Sequence, residues 1–148
     1  MTQSARSLLA PLSAQERVLY EALHDRVRGR HIPSFSLIDA AVLLDGLAQS
    51  KRFLPGVSWR NRDALQAILD RLGLSSVTGD DAFAKVLTKV DHHFMRACRA
   101  TIRIHRRSAA KIADENARAQ NIPERYWWNY PYATIVQMHH ERLDRHSA

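Results

Sequence analysis

Between Lys85 and Arg118 the sequence places Lys85, Lys89, His92, Arg96, Arg99, Arg103, Arg106, Arg107, Lys111 and Arg118. At about 100° per residue these positions fall within an arc of roughly 140° around a helix axis. Phe83, Leu87, Val90, Phe94, Ala97, Thr101, His105 and Ile112 fall on the opposite side. Cations on one face bind anions, and the planar donor fork of arginine matches the oxygens of a phosphate in pairs. The stretch holds nine Lys/Arg against Asp91, Asp114 and Glu115, a net of +6, while the rest of the chain holds 13 Lys/Arg and 12 acids, a net of +1.

A solvated helix face usually mixes signs, because opposite charges three or four residues apart stabilise it and like charges weaken it. Arg96, Arg99, Arg103 and Arg107 have no acid at those spacings, and Asp91 and Asp114 stand at the edges of the stretch. The repulsion calls for a counterweight, either a polyanion or an acidic face. With nucleic acid as the partner, Arg96, Arg99, Arg103, Arg107 and Lys111 sit on phosphates, flanked by Lys89, Arg106 and Arg118. Such contacts position a protein without reading sequence.

A second candidate comes from Arg60, Asn61 and Arg62. They open a helix that follows another helix and a Pro55-Gly56 turn, the order of a helix-turn-helix, whose second helix carries base-reading residues at its start. A third is the run Tyr126, Trp127, Trp128, Tyr130 and Tyr132, five of the eleven aromatics in seven positions. Aromatic planes beside arginines suit unpaired bases. The Trp pair is expected to close the fold instead, mostly buried, with Tyr130 and Tyr132 less committed.

Catalytic and metal chemistry find little support. There is no Walker loop, GxGxxG, GxSxG or HExxH pattern, and Cys98 is the single cysteine. His140 and Asp144 share a helix face, yet a metal needs a third ligand such as His93, so neither metal nor cofactor is expected. The segment from Arg99 to His105 resembles the Arg…His motif of HEPN-type ribonucleases. That resemblance implies a small all-α bundle whose Arg99 and His105 act on an RNA backbone, usually across a dimer. Ala100 stands where that motif has a polar residue.

These side chains need helices to position them. Ser13 and Glu16 have capping-box spacing, and Val18, Leu19, Ala22, Leu23 and Val27 follow at helical intervals, predicting a helix over 14–28 that stops at Gly29. Ser36 with Asp39 repeats the cap before an apolar helix over 37–53, expected to face several neighbours and form the central core. Ser58 is expected to cap a helix to Leu72, with Trp59, Leu65, Ile68, Leu69 and Leu72 as its stripe and Gly73 as its end. Thr78 and Asp81 start a fourth segment, and from Asp81 to Ala119 there is no Gly or Pro. It is either one long helix of ~58 Å or a pair broken near Thr101–His105. A last helix is predicted over 133–145.

No segment alternates as a strand does. The 148 residues are 45% hydrophobic and 25% charged, the balance of an ordinary globular domain. No apolar run approaches the ~18 residues that span a bilayer. The expected architecture is all-α, a single-domain bundle of five or six helices over 13–146 behind a flexible 1–12, in the cytoplasm and with no membrane partner. The expected function is non-catalytic binding of nucleic acid, DNA or RNA, as a regulator or accessory subunit. The alternatives are an adaptor or chaperone with an acidic protein partner, and a ribonuclease using Arg99 and His105. A homo-oligomer is compatible with each.

Overall fold

A computed structural model of the chain describes residues 11–50 and 57–147 and, within its helices, the side chains of all but 103–106 and 140–147. The chain is all-helical, as the patterning predicts. Five α-helices lie among the described residues: α1 (Ala14–Arg26), α2 (Ser34–Gln49), α3 (Val57–Arg71), α4 (Ala82–Ala119) and α5 (Pro131–Ser147), with a 3-10 turn at Trp127–Asn129. No helix among the described residues is long and apolar enough to cross a membrane. The chain divides into two compact units, one ending at Asp91 and the other beginning at His92.

In the first unit the capping box of α1 forms as its spacing requires. Ser13 Oγ accepts the Glu16 N–H at 3.1 Å and Glu16 Oε1 accepts the Ser13 N–H at 2.8 Å. The helix ends at Arg26, one turn before Gly29, whose φ of +82° makes the bend. α2 packs against both α1 and α3. It begins at Ser34, not after a Ser36 cap; Pro33 is the N-cap residue, extended at φ −60° and ψ 132°, and no side chain caps the helix. Its buried residues Leu37, Ala40, Ala41, Leu44 and Leu47 form one stripe, leaving Phe35 and Val42 exposed.

Ser58 lies inside α3 and is buried, so it does not cap that helix. The Pro55-Gly56 turn lies outside the described residues. α3 closes in a Schellman motif. Gly73, at φ +72°, supplies the left-handed residue, and its N–H and that of Leu74 donate to the carbonyls of Asp70 and Leu69.

The cap of α4 is Asp81, where Thr78 was expected. Asp81 Oδ1 accepts the Ala84 N–H at 2.9 Å. Arg26 holds the other oxygen, its Nε donating to Oδ2 at 2.5 Å while Nη2 donates to the Thr78 carbonyl. Phe83, Ala84, Leu87 and Val90 on the opening turns of α4 join Leu19, Leu23 and Leu65 among the buried residues of this unit.

The second unit holds the rest of α4, the aromatic segment and α5. α4 is unbroken through Thr101–His105. It ends in a second Schellman motif with Asn121 at φ +59°, the N–H groups of Asn121 and Ile122 donating to the carbonyls of Arg118 and Ala117. Asn tolerates the left-handed conformation better than other non-glycine residues. The chain then turns through the aromatic run into α5, which opens at Pro131. The proline occupies the first helical position, where its missing N–H costs nothing.

Candidate functional site

Of the α4 cations in the second unit, Arg96, Arg99, Arg107, Lys111 and Arg118 have described side chains, and all five are exposed. Among the described residues, no carboxylate pairs with Arg96, Arg99, Arg107 or Lys111. Arg118 reaches Glu124 at 3.4 Å and stands 5.7 Å from the ring centre of Tyr130. Lys111 Nζ stands 5.0 Å from the ring centre of Tyr132. The side chains of Arg103, His105 and Arg106 lie outside the described residues. Lys89 is exposed on the part of α4 that belongs to the first unit.

Of the three acids in this stretch, Glu115 is exposed beside Lys111 and Arg118, and the other two are committed elsewhere. Asp91 receives Arg62, whose Nε and Nη2 donate to its two carboxylate oxygens at 2.9 and 3.1 Å. Asp114 is only 2% exposed. Its two oxygens accept the N–H groups of Tyr132 at 3.1 Å and Ala133 at 2.9 Å. These are the first two amides that α5 presents behind Pro131, so a carboxylate from α4 caps the neighbouring helix, where the helix dipole also favours negative charge.

Asp114 exposes a correction in how α4 packs. The hydrophobic pattern placed the apolar side through Phe94 and on to Ile112. Phe94 and Cys98 are buried as that pattern requires, yet Ile112 is 55% exposed while Ala110, Asp114 and Ala117 are buried. On an ideal helix those three lie nearly opposite Phe94. The small side chains of Ala110 and Ala117 leave this side of the helix open to close approach, and Asp114 fixes the start of α5 there. Lys111 and Arg118 therefore flank a packed seam, and Arg96 and Arg99 are exposed further toward the start of the helix.

A second correction concerns the helix-turn-helix reading. Arg60 is exposed on α3, but Arg62 is 3% exposed. Besides Asp91 it donates from Nη1 to Gln66 Oε1 at 3.0 Å, and Gln66 Nε2 in turn donates to Asp70 and to the Ser75 carbonyl. Arg62 is an internal tie, withdrawn from base contact.

Most of the aromatic run is structural. Tyr126 stacks on Trp128 at 5.2 Å and Trp127 meets Trp128 edge-on at 5.6 Å. Tyr126, Trp128 and Tyr130 are buried, whereas Trp127 is half-buried, less than expected. The Tyr130 hydroxyl donates to the Ile122 carbonyl. Burial, with the nearby charge of Glu124, pushes the Tyr130 phenol above its ordinary value against the opposing pull of Arg118. Cys98 lies beneath this cluster, its thiol 3.9 Å from the Trp128 carbonyl. Burial, then the negative charge of Asp114, pushes the thiol up to about 12, which suits a packing residue and opposes a nucleophilic one.

Tyr132 is the residue the sequence left open. Its ring is half-buried and lines two cavities within the second unit. One, of about 580 Å³, is shared with Lys111, Glu115, Arg118 and Gln137. The other, of about 390 Å³, is shared with Ile102, Arg107, Ile135 and His139. α5 thus runs back along α4 from Asp114 toward Ile102.

Among the described residues, no group of three His, Cys, Asp or Glu is placed to hold a metal ion. His93 is exposed, and the side chains of His140 and Asp144 lie outside the described residues. No family model matches the chain, and neither the curated proteins nor the solved structures contain a match to it.

Proposed function

We propose that this protein is a non-catalytic, cytoplasmic nucleic-acid-binding protein that holds phosphates on the exposed cations of α4. One observation carries the reading: Arg96, Arg99, Arg107 and Lys111 project from one helix without a carboxylate partner among the described residues, while Asp91 and Asp114 are spent on Arg62 and on the start of α5. A helix that keeps its acids away from its arginines retains a field that attracts polyanions and concentrates them at its surface. Arginine also suits phosphate through paired donors.

Titration of a labelled random-sequence oligonucleotide against the protein, beside labelled polyglutamate of similar charge, tests this. Salt-sensitive binding of the oligonucleotide, with weak capture of polyglutamate and recovery of RNA uncut, is the expected result. Equal or preferred binding of polyglutamate supports an acidic protein partner instead, and cleavage of RNA supports an enzyme.

A further inference from the structure

We infer that Tyr132 is a stacking platform for one unpaired base, so that the strand held by α4 is single-stranded. This rests on the phosphate-binding reading above.

The backbone that carries the ring is held before any ligand arrives. Pro131 fixes the backbone dihedral ahead of it, and Asp114 accepts the N–H of Tyr132 itself. An aromatic side chain positioned in this way loses little freedom on binding. The other rings of the run are engaged with one another or with backbone, as Tyr126, Trp128 and Tyr130 show. Tyr132 borders both of the cavities described above.

The linings of those cavities assign the parts of a nucleotide. The smaller one has apolar walls from Ile102, Ile135 and Val136, with Arg107 beside them and no carboxylate among the described residues of its lining. A base needs apolar walls and an aromatic face, and the phosphate attached to it needs a guanidinium. The larger cavity contains Glu115 and Asp114, which repel phosphate from its interior, while Lys111 stands over the tyrosine ring. Arg107 and Lys111 are one turn apart, about 6 Å along the axis. A strand passing from one to the other crosses Tyr132 between them. A duplex keeps its base faces stacked inside, so it engages the cations and leaves the ring unused.

The test compares wild type, Tyr132→Ala, Tyr132→Leu, Tyr132→Phe and Arg99→Glu, binding labelled oligothymidine and a labelled duplex, with folding followed by circular dichroism. Loss of one base stack is expected to weaken oligothymidine binding by about 5- to 100-fold in Tyr132→Ala and Tyr132→Leu. Tyr132→Phe stays near wild type, and duplex affinity is unchanged in all three. Tyr132→Leu keeps apolar bulk at the seam, so it reads the stacking term even where the alanine variant loosens α5. If the leucine variant binds oligothymidine as wild type does while Arg99→Glu weakens both ligands, the stacking inference is wrong and the phosphate reading stands. If wild type binds neither ligand, both are wrong.

Discussion

Asp114 on α4 caps α5 by accepting the Ala133 N–H at 2.9 Å, and it does so from a position that an ideal helix places in line with the exposed arginines. One carboxylate thereby joins two helices and is removed from the charge balance of the basic face. Asp114→Ala is expected to lower stability by about 1–2 kcal/mol, the range for losing a helix N-cap. Hydrogen exchange should speed up at Tyr132 and Ala133 before the rest of α5. A melting curve and exchange rates indistinguishable from wild type would contradict the cap.

Arg62 gives a second prediction. Removing one member of a buried ion pair typically costs 3–5 kcal/mol. Asp91 keeps contact with water here, its side chain 26% exposed, so Arg62→Ala is expected near the low end, about 3 kcal/mol, in urea unfolding. Arg60→Ala should leave stability near wild type. Neither should change the salt dependence of oligonucleotide binding, and a reduced slope for Arg62→Ala would restore that residue to the interface.

The thiol of Cys98, with its pKa pushed up to about 12, should be inert in the folded protein. Ellman's reagent at pH 8 is expected to modify it only after denaturation. Stoichiometric reaction in the native state would show that the aromatic cluster does not cover it.

Acid should weaken the Arg26–Asp81 tie. Burial of Asp81 favours the neutral acid, but the hydrogen bonds from Arg26 and the Ala84 N–H, with the charge of Arg26, outweigh it and hold the carboxyl below its ordinary value of 3.8. A carboxyl lowered in the folded state contributes stability above its unfolded value and loses it as pH falls through the folded value. Asp81→Asn retains a capping oxygen, so its deficit relative to wild type should be full above pH 3.8 and shrink below it. A deficit independent of pH would mean that the charge on Asp81 contributes nothing.

The local signals in the sequence translate directly into structure. Ser13 and Glu16 cap as a pair, and Gly73 ends α3, because those devices involve residues a few positions apart. The basic arc of α4 is equally legible, since helical periodicity alone defines it. Arg62 is not legible: its partner Asp91 lies 29 residues away, and only tertiary packing decides which arginine is enclosed. The turnover of the buried face of α4 is hidden for a related reason. Ala110 and Ala117 give weak hydrophobic signals and Asp114 gives a polar one, whereas Ile112 looks like core and is exposed. Close approach depends on the smallness of those alanines and on two amides supplied from the start of α5. The role of Tyr132 needs both pieces in place, because its cavities exist only once α5 lies along α4.

The measurement that bears most directly on the central claim is the salt dependence of oligonucleotide affinity for wild type and an Arg99→Glu, Arg107→Glu double variant. Each phosphate neutralised on a single strand contributes about −0.7 to the slope of log affinity against log salt. Both arginines are exposed and pair with no carboxylate among the described residues, so the reversal should leave folding intact by circular dichroism and ease repulsion along α4. The account predicts a slope shallower by at least about 1.4 units and affinity lowered for every sequence alike. A folded double variant that binds with the affinity and slope of wild type would contradict it.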